Sequence, residues 1–295
     1  MTNPTKTDWS LSSGHGYILQ RTNSHLSSCR LNLQHYLWKD TLKFSICPSV
    51  ALNLPPKPLI ADIATGTGAW LLDVARDLPN AQLHGFDNDL DQAPHKSWLP
   101  FNVDIKYWNI FDEIPDEMVG KYDLVHVRLL VLVIDGRFQA QSFVQKVMKM
   151  LKPGGYIQWD ELDCVDMTVK KVSPEIQAPA LEKLREKSWA DGRYDWTVQI
   201  PYVLKEEGFE NVKGHVYGDE AGLTRAFNEQ HLLTMDEFAR SLARLGKVEA
   251  AEAFWCLIEE GEKEAVEGAA LCIPRIVSTG KKPMCVSYEQ NPGRG

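Results

Sequence analysis

The sequence LIADIATGTGAW, at residues 59–70, is the most informative segment of this chain for its fold. A short apolar run precedes two glycines, and apolar residues at helical spacing follow in residues 69–78. This order predicts a strand, a glycine loop and a helix. Glycines let the backbone turn tightly and let a ligand approach closely, and the start of a helix offers unpaired amides. The pattern alone also fits an ordinary turn between a strand and a helix.

The alternation continues on the C-terminal side of this stretch. Strand-like segments occupy residues 81–86, 103–110, 122–130 and 156–162, and a helical pattern occupies residues 137–151. Strands that alternate with helices predict βαβ units. We therefore expect an α/β fold with a doubly wound, mostly parallel sheet.

Beyond Leu162 the pattern of predicted elements changes. Helical patterns and two further strands are expected there, the helices at residues 174–189, 197–207, 238–245 and 248–271 and the strands at residues 209–217 and 281–289. Thr234 and Glu237 fit a capping box before the third helix, and Gly261 interrupts the fourth. We expect these helices to cover the ligand edge of the sheet.

Asp87 indicates which kind of ligand the glycine loop would bind. It ends the second predicted strand, where an acidic side chain can accept both hydroxyls of a ribose. Leu71 stands where a dinucleotide fingerprint needs its last glycine, and the sequence has no P-loop motif. An adenosine derivative without a pyrophosphate, such as S-adenosylmethionine (SAM), fits better. Asp62 is then suited to orient its ammonium end, and the alternative for Asp62 is a carboxylate that caps local amides.

The segments DIATGTG (62–68), GFD (85–87), WNIF (108–111), YDLVHVRL (122–129) and LKPGGY (151–156) resemble, in order, the motifs of class I SAM-dependent methyltransferases. The flanks YILQR (17–21), RLNLQHYLW (30–38) and GYIQWDE (155–161) resemble fungal secondary-metabolism methyltransferases of the LaeA-like type. The resemblance implies a Rossmann-like, seven-stranded sheet with N-terminal helices and a C-terminal helical cap. It divides the chain into an N-terminal helical cover (1–54), a SAM-binding core (55–165), and closing strands with a substrate cap (166–295).

The resemblance and the predicted strand ends together predict which residues bind the cofactor. They are Tyr17, Arg21, Asp62, Ala64, Thr65, Gly66, Gly68, Asp87, Asn88, Asn109, Ile110, His126 and Arg128. Tyr17 and Arg21 lie one helical turn apart, and the resemblance implies that their helix closes over the cofactor.

His126 is the candidate catalytic residue, because ligands of parallel α/β sheets bind at the carboxyl ends of the strands. It can instead line the cofactor site. The candidates for binding the substrate are His35, Trp38, Trp159 and Glu161, with plain packing as the alternative for each, and His231 is a weaker candidate in the cap. No metal site is predicted.

Composition excludes several classes of protein. The 295 residues include 32 Lys and Arg and 40 Asp and Glu, for a net charge of −8, which disfavours a nucleic-acid acceptor. No apolar run approaches the roughly 20 residues of a membrane span. Without a signal sequence, the six scattered cysteines favour reduced thiols in a cytosolic or nuclear protein.

Three functions remain open. The first is a SAM-dependent methyltransferase that acts on an oxygen, nitrogen or sulfur of a small secondary metabolite. The second is a LaeA-like regulator that acts through protein partners, and the third is a SAM-fold enzyme with another reaction. The sequence leaves the acceptor and the oligomeric state open.

Overall fold

A twisted sheet of seven strands forms the centre of the fold. The computed structural model describes residues 24–188 and 192–284. The strands of this sheet are β1 (Leu59–Ile63), β2 (Gln82–Asp87), β3 (Val103–Tyr107), β4 (Tyr122–Arg128), β5 (Leu151–Leu162), β7 (Glu210–Tyr217) and β9 (Arg275–Lys281). A separate antiparallel pair consists of β6 (Thr168–Lys171) and β8 (Ala269–Cys272).

The strand order is β3-β2-β1-β4-β5-β9-β7. Strands β1 to β5 are parallel, and β9 runs antiparallel to both of its neighbours, β5 and β7. The carboxyl ends of β1 to β5 therefore meet at one edge of the sheet. This arrangement confirms the predicted Rossmann-like, seven-stranded, mostly parallel sheet.

Helices cover both faces of the sheet. They are α1 (Ser24–Leu42), α2 (Pro48–Ala51), α3 (Ala69–Asp77), α4 (Gly136–Met150), α5 (Pro179–Ser188), α6 (Ile200–Glu206), α7 (Thr224–Arg244) and α8 (Val248–Val266). Ile60 of β1 packs in one buried cluster with Trp70 of α3, whereas Ile63 packs in another with Phe143 of α4. The alternation of side chains along a strand sends neighbouring residues to opposite faces, so β1 is buried from both sides and the sheet is doubly wound.

A third buried cluster joins α1 to helices of the C-terminal part of the chain at the ligand edge. Leu37 and Trp38 of α1 pack there with Phe227 of α7, Phe254 of α8 and Leu181 of α5. The N-terminal helix and the C-terminal helices therefore form one apolar cover beside the carboxyl ends of the strands. The domain boundaries at residues 54 and 165 stay predictions.

The predicted capping box is wrong. Thr234 lies in the middle of α7, where its hydroxyl donates to the carbonyl of Gln230 at 3.1 Å instead of capping a helix start. The predicted break at Gly261 is also wrong, because α8 continues through it. Gly261 is needed for packing: a Cβ there would lie 2.9 Å from Leu181 Cδ2.

The predicted final strand is displaced. The strand that pairs with β5 is β9, which begins at Arg275 rather than at Lys281. Residues 276–280 of β9 are buried on both faces, as a central strand requires. Residues 285–289 of the predicted strand lie outside the described residues.

Candidate functional site

The loop between β1 and α3 uses three residues in the left-handed backbone region. They are Ala64 (φ 57°), Gly66 (φ 56°) and Gly68 (φ 70°). Glycine adopts this region without strain, and Gly68 sits at the N-cap of α3. The Thr65 amide donates to the carbonyl of Phe86 at 3.0 Å and so ties the loop to β2. The loop therefore exposes backbone, rather than large side chains, at the edge where the strands end.

Asp87 lies directly beside this loop. Its Oδ2 accepts a hydrogen bond from the Gly66 amide at 2.8 Å, and its Oδ1 accepts one from the Asp89 amide at 3.0 Å. Each carboxylate oxygen can accept more than one hydrogen bond. The two amides thus hold the carboxylate in a fixed position at the end of β2, beside the glycine loop.

Asp62 ends up beneath the loop, at the carboxyl end of β1. It is 3 % exposed. Its Oδ2 accepts from the Thr65 hydroxyl at 2.6 Å, and its Oδ1 lies 2.7 Å from His126 Nδ1. Asp62 is therefore bonded to a side chain of the loop, that of Thr65, and forms part of the cavity wall.

His126 is fully buried on β4, directly next to Asp62 in the sheet. Its Nε2 lies 3.2 Å from Asp160 Oδ2, so each ring nitrogen faces a carboxylate. The indole of Trp70 stacks on the ring at a centroid distance of 3.7 Å. These three contacts fix the position and the plane of the imidazole.

Asp160 on β5 links His126 to Arg128. Arg128 donates to Asp160 Oδ2 from Nη2 at 2.6 Å and from Nε at 3.1 Å. Burial raises the pKa of Asp160, but the charge of Arg128 and the hydrogen bond from His126 outweigh it and leave the pKa below its ordinary value. Asp160 is therefore ionised at neutral pH although it is completely buried.

His35 connects this group to α1. Its Nε2 lies 2.8 Å from Asp73 Oδ2, and its Nδ1 lies 3.4 Å from Arg128 Nη1. Burial and the charge of Arg128 lower the pKa of His35 to about 3. A neutral ring that donates to Asp73 and accepts from Arg128 agrees with both contacts. Thr67 adds a second tie to α1, since its hydroxyl donates to Asn32 Oδ1 at 2.7 Å.

A cavity of about 140 Å³ opens between these elements. Its lining includes most of the glycine loop, the segment 129–133 that follows β4, part of α7, and four residues of α1, namely Arg30, Leu31, Gln34 and His35. Leu129 in that segment is in the left-handed region, with φ 60°. Its amide donates to the carbonyl of Asp160 at 3.0 Å, which anchors the segment to β5.

The α7 side of the cavity consists of Gln230, His231 and Thr234. Among the described residues, Gln230 Oε1 and His231 Nε2 have no hydrogen-bond partner although both atoms are buried. Burial and the nearby charge of Arg275 lower the pKa of His231 to about 3, so the ring is neutral at neutral pH. Unpaired buried polar groups are uncommon in proteins, and here two of them lie in one wall.

The predicted site residues fall into three groups. Those that line the cavity are His35, Asp62, Ala64, Thr65, Gly66, His126 and Arg128. Those that do not line it are Trp38, Gly68, Asp87, Asn88, Asn109, Ile110, Trp159 and Glu161. Tyr17 and Arg21 lie outside the described residues.

Four residues of the second group surround the carboxyl ends of β2 and β3. Asp87 ends β2 and the exposed Asn88 follows it, while Asn109 and the buried Ile110 follow β3. Asn109 Oδ1 accepts from the Phe111 amide at 3.1 Å. This is the edge of the sheet next to the glycine loop, so their predicted contact with an adenosine is compatible with the fold and stays a prediction.

The residues predicted to bind the substrate are mostly deep in the core. Trp159 packs against Phe143 and Trp196 on the α4 face. Glu161 accepts from the Trp159 indole at 3.3 Å and from the Leu162 amide at 3.1 Å, and burial raises its pKa to about 8. Their role in substrate binding stays a prediction.

Trp38 has a clear structural role next to this site. The Arg128 guanidinium lies 5.0 Å from the centroid of its ring, a distance that allows a cation–π contact. Trp38 is 1 % exposed and belongs to the cluster that joins α1 to α7.

The described residues contain neither a metal-binding cluster nor a membrane-spanning helix. Among residues 24–188 and 192–284, no cluster of three or more His, Cys, Asp or Glu side chains could hold a metal ion. Within the same ranges no helix is long and apolar enough to cross a bilayer.

The chain is similar in sequence to curated fungal methyltransferases. The chain is 38 % identical over 137 residues to the methyltransferase grgD of a Penicillium species, covering 44 % of this chain and 46 % of that protein. It is 35 % identical over 136 residues to the N-methyltransferase tcpN of Claviceps purpurea, covering 45 % and 47 %. These matches confirm the resemblance to fungal methyltransferases.

A regulator also matches. The chain is 32 % identical over 117 residues to the secondary metabolism regulator LAE1 of Hypocrea atroviridis, covering 39 % of this chain and 32 % of that protein. The matched segments thus span about half the length of the two enzymes and less of the regulator. No protein-family model matches the chain.

Among solved structures, the chain resembles a phosphoethanolamine N-methyltransferase 2 of Haemonchus contortus. The two are 13 % identical, the TM-score is 0.49, and the likeness covers 89 % of this chain and 58 % of that chain.

Proposed function

We propose that this chain is a SAM-dependent methyltransferase that acts on a small molecule. The observation that carries the proposal is the pair of acidic residues on either side of the glycine loop. Asp87 is bonded to the loop amide at Gly66, and Asp62 is bonded to the loop hydroxyl at Thr65. The matches to fungal methyltransferases support the same conclusion.

The residues present fit this cofactor. Asp87 would accept the ribose hydroxyls, and Asp62 would face the ammonium end, directly or through a water. The left-handed loop leaves its backbone free of large side chains on this side. When bound, SAM supplies an electrophilic methyl group on a sulfonium.

The opposite half of the cavity suits an uncharged acceptor. Its wall is the apolar segment 129–133 with Leu162, together with Gln230, His231 and Thr234 of α7. His231 is neutral because its pKa is lowered to about 3. Arg30 is paired with Glu237 at 2.7 Å, and Arg128 is paired with Asp160. The charges of the lining are therefore balanced internally, and a neutral small molecule needs no counter-ion there.

The protein would accelerate the transfer mainly by position and by excluding water. Holding two reactants in line contributes about 7–11 kcal/mol in well-oriented systems. His126 is not available to remove a proton, since both of its nitrogens face carboxylates. An acceptor that needs little help from a base and carries no charge, such as an amine in its neutral form, fits this arrangement.

The match to a secondary metabolism regulator favours one alternative, a protein that acts through partners rather than on a small molecule. The test is to incubate the purified chain with SAM labelled in its methyl group and a fungal metabolite extract. We expect label in a small molecule, and S-adenosylhomocysteine in equal amount. Binding of SAM without labelled product from the extract would favour the regulator instead.

A control variant distinguishes methyl transfer by this chain from methyl transfer by a contaminating enzyme. Asp87→Ala, prepared in the same way, should lose the labelled product. Labelled product that persists at the wild-type rate in this variant would refute the assignment of the site.

A further inference from the structure

We propose that His126 is a positioning residue that holds the Asp62 carboxylate toward the ammonium end of the cofactor. This inference rests on the proposed function. The central contacts are His126 Nδ1 to Asp62 Oδ1 at 2.7 Å and His126 Nε2 to Asp160 Oδ2 at 3.2 Å. We call the row Asp62, His126, Asp160, Arg128 the buried relay.

The two carboxylates that face the ring need hydrogen-bond donors. An ionised carboxylate only accepts hydrogen bonds, and an imidazole N–H can donate one. His126 Nδ1 faces Asp62 and His126 Nε2 faces Asp160, and Arg128 brings a positive charge to Asp160. The ring therefore links the two carboxylates, and the Arg128 charge offsets part of the cost of burying them.

Within the buried relay, Asp160 is held by more hydrogen bonds than Asp62. Asp160 is bonded by Arg128 through two nitrogens and by Gln158 Nε2 at 3.1 Å. Trp70 stacks on the imidazole and prevents it from tilting. The ring is therefore fixed to Asp160 and Trp70, and it sets the orientation of Asp62.

Asp62 is the member of the buried relay that is bonded to the glycine loop, and it lines the cavity together with His126 and Arg128. Its other oxygen is taken by the Thr65 hydroxyl at 2.6 Å. The partners of Asp62 are thus Thr65 and His126, whereas Asp87 is held by a different pair, the amides of Gly66 and Asp89. The relay should consequently act on the amino-acid end of the cofactor and leave the nucleoside end unaffected.

Two ligands distinguish these ends. S-adenosylhomocysteine carries the ammonium and carboxylate groups, whereas 5′-methylthioadenosine has the same nucleoside without them. We would measure the affinity of the full chain for both by calorimetry, with wild type, His126→Phe and His126→Asn. Phenylalanine keeps a ring against Trp70 but has no N–H. Asparagine keeps an amide donor that can reach Asp62.

In His126→Phe we expect the affinity for S-adenosylhomocysteine to fall about tenfold or more, since a charge-assisted contact is misaligned. The affinity for 5′-methylthioadenosine should stay at the wild-type value. His126→Asn should lie between wild type and His126→Phe for the first ligand, and it carries the same comparison if His126→Phe does not fold. His84→Phe, a change at another histidine of the sheet, is the control and should alter neither affinity.

Other results have distinct meanings. An equal loss for both ligands would overturn the inference and leave His126 a purely structural residue. Wild-type affinity for both ligands in the two His126 variants would overturn it as well. If the wild-type chain bound neither ligand, the proposed function itself would fail, and the inference with it.

Discussion

The imidazole of His126 and the indole of Trp70 lie parallel, with an interplanar angle of 1° and a centroid distance of 3.7 Å. Trp70 is the second residue of α3, directly after the glycine loop, and His126 lies in the middle of the sheet. The indole also donates to the carbonyl of Ser45 at 3.1 Å. This stack joins the loop that would hold the cofactor to the buried relay beneath it.

Removal of the Trp70 ring should destabilise the folded protein. We expect Trp70→Ala to lower the free energy of unfolding by about 3–5 kcal/mol, because a large buried ring is lost and a cavity remains. Urea denaturation at neutral pH measures this. Trp98→Ala is the matched control, since Trp98 is 81 % exposed, and it should change stability by less than about 0.5 kcal/mol. Similar values for the two variants would contradict the stack as a stabilising contact.

The ribose assignment rests on Asp87. Asp87→Ala should weaken binding of S-adenosylhomocysteine by about tenfold to a hundredfold, because charge-assisted hydrogen bonds are lost. Calorimetry measures the affinity. Asp91→Ala removes an exposed carboxylate from the same loop and should leave it unchanged. Unchanged affinity in Asp87→Ala would mean that the ribose binds elsewhere.

Glu161 gives the protein a pH-dependent stability. Burial raises its pKa from the ordinary 4.5 to about 8, so the folded chain binds more protons than the unfolded chain between these values. Its contribution is complete below about pH 4.5 and is lost as the pH rises toward 8. Glu161→Gln has no carboxyl to ionise. As the pH rises from 5 to 8, its free energy of unfolding should therefore increase relative to that of wild type by a few kcal/mol.

The measurement for Glu161 is a pair of urea denaturation series across that pH range. Glu175→Gln, a change at an exposed glutamate, should follow the wild-type profile. Parallel profiles for wild type and Glu161→Gln would show that the buried carboxyl does not titrate in this window.

The acceptor is predicted to meet α7. His231→Phe should leave the affinity for S-adenosylhomocysteine unchanged and lower methyl transfer to the metabolite extract about tenfold or more, since a buried polar partner is removed. Leu233→Ala, on the exposed side of the same helix, is the control and should retain full transfer. If His231→Phe transferred methyl at the wild-type rate, the acceptor would not contact this wall.

Sequence patterns predicted the arrangement of those site residues that lie close together along the chain. The glycine loop, Asp62 and Asp87 lie in one βαβ segment, where spacing along the chain fixes spacing in space. The contact between His126 and Asp62 also follows from the sheet, because adjacent parallel strands bring their carboxyl ends together.

Contacts between distant segments were not predictable in this way. Asp160 and Arg128 come together through the register of β4 and β5, and Gln230 enters the cavity from a helix that begins at residue 224. The capping-box pattern at Thr234 was misleading for the same reason. Burial of Phe227, Met235 and Leu242 along one face favours a single long helix over the local signal.

A crystal structure of the chain with S-adenosylhomocysteine would show directly whether the proposed cofactor site is right. We expect the ribose hydroxyls on the Asp87 carboxylate and the ammonium group at Asp62, bonded directly or through one water. A nucleoside bound away from the glycine loop, or an ammonium group turned away from Asp62, would contradict it.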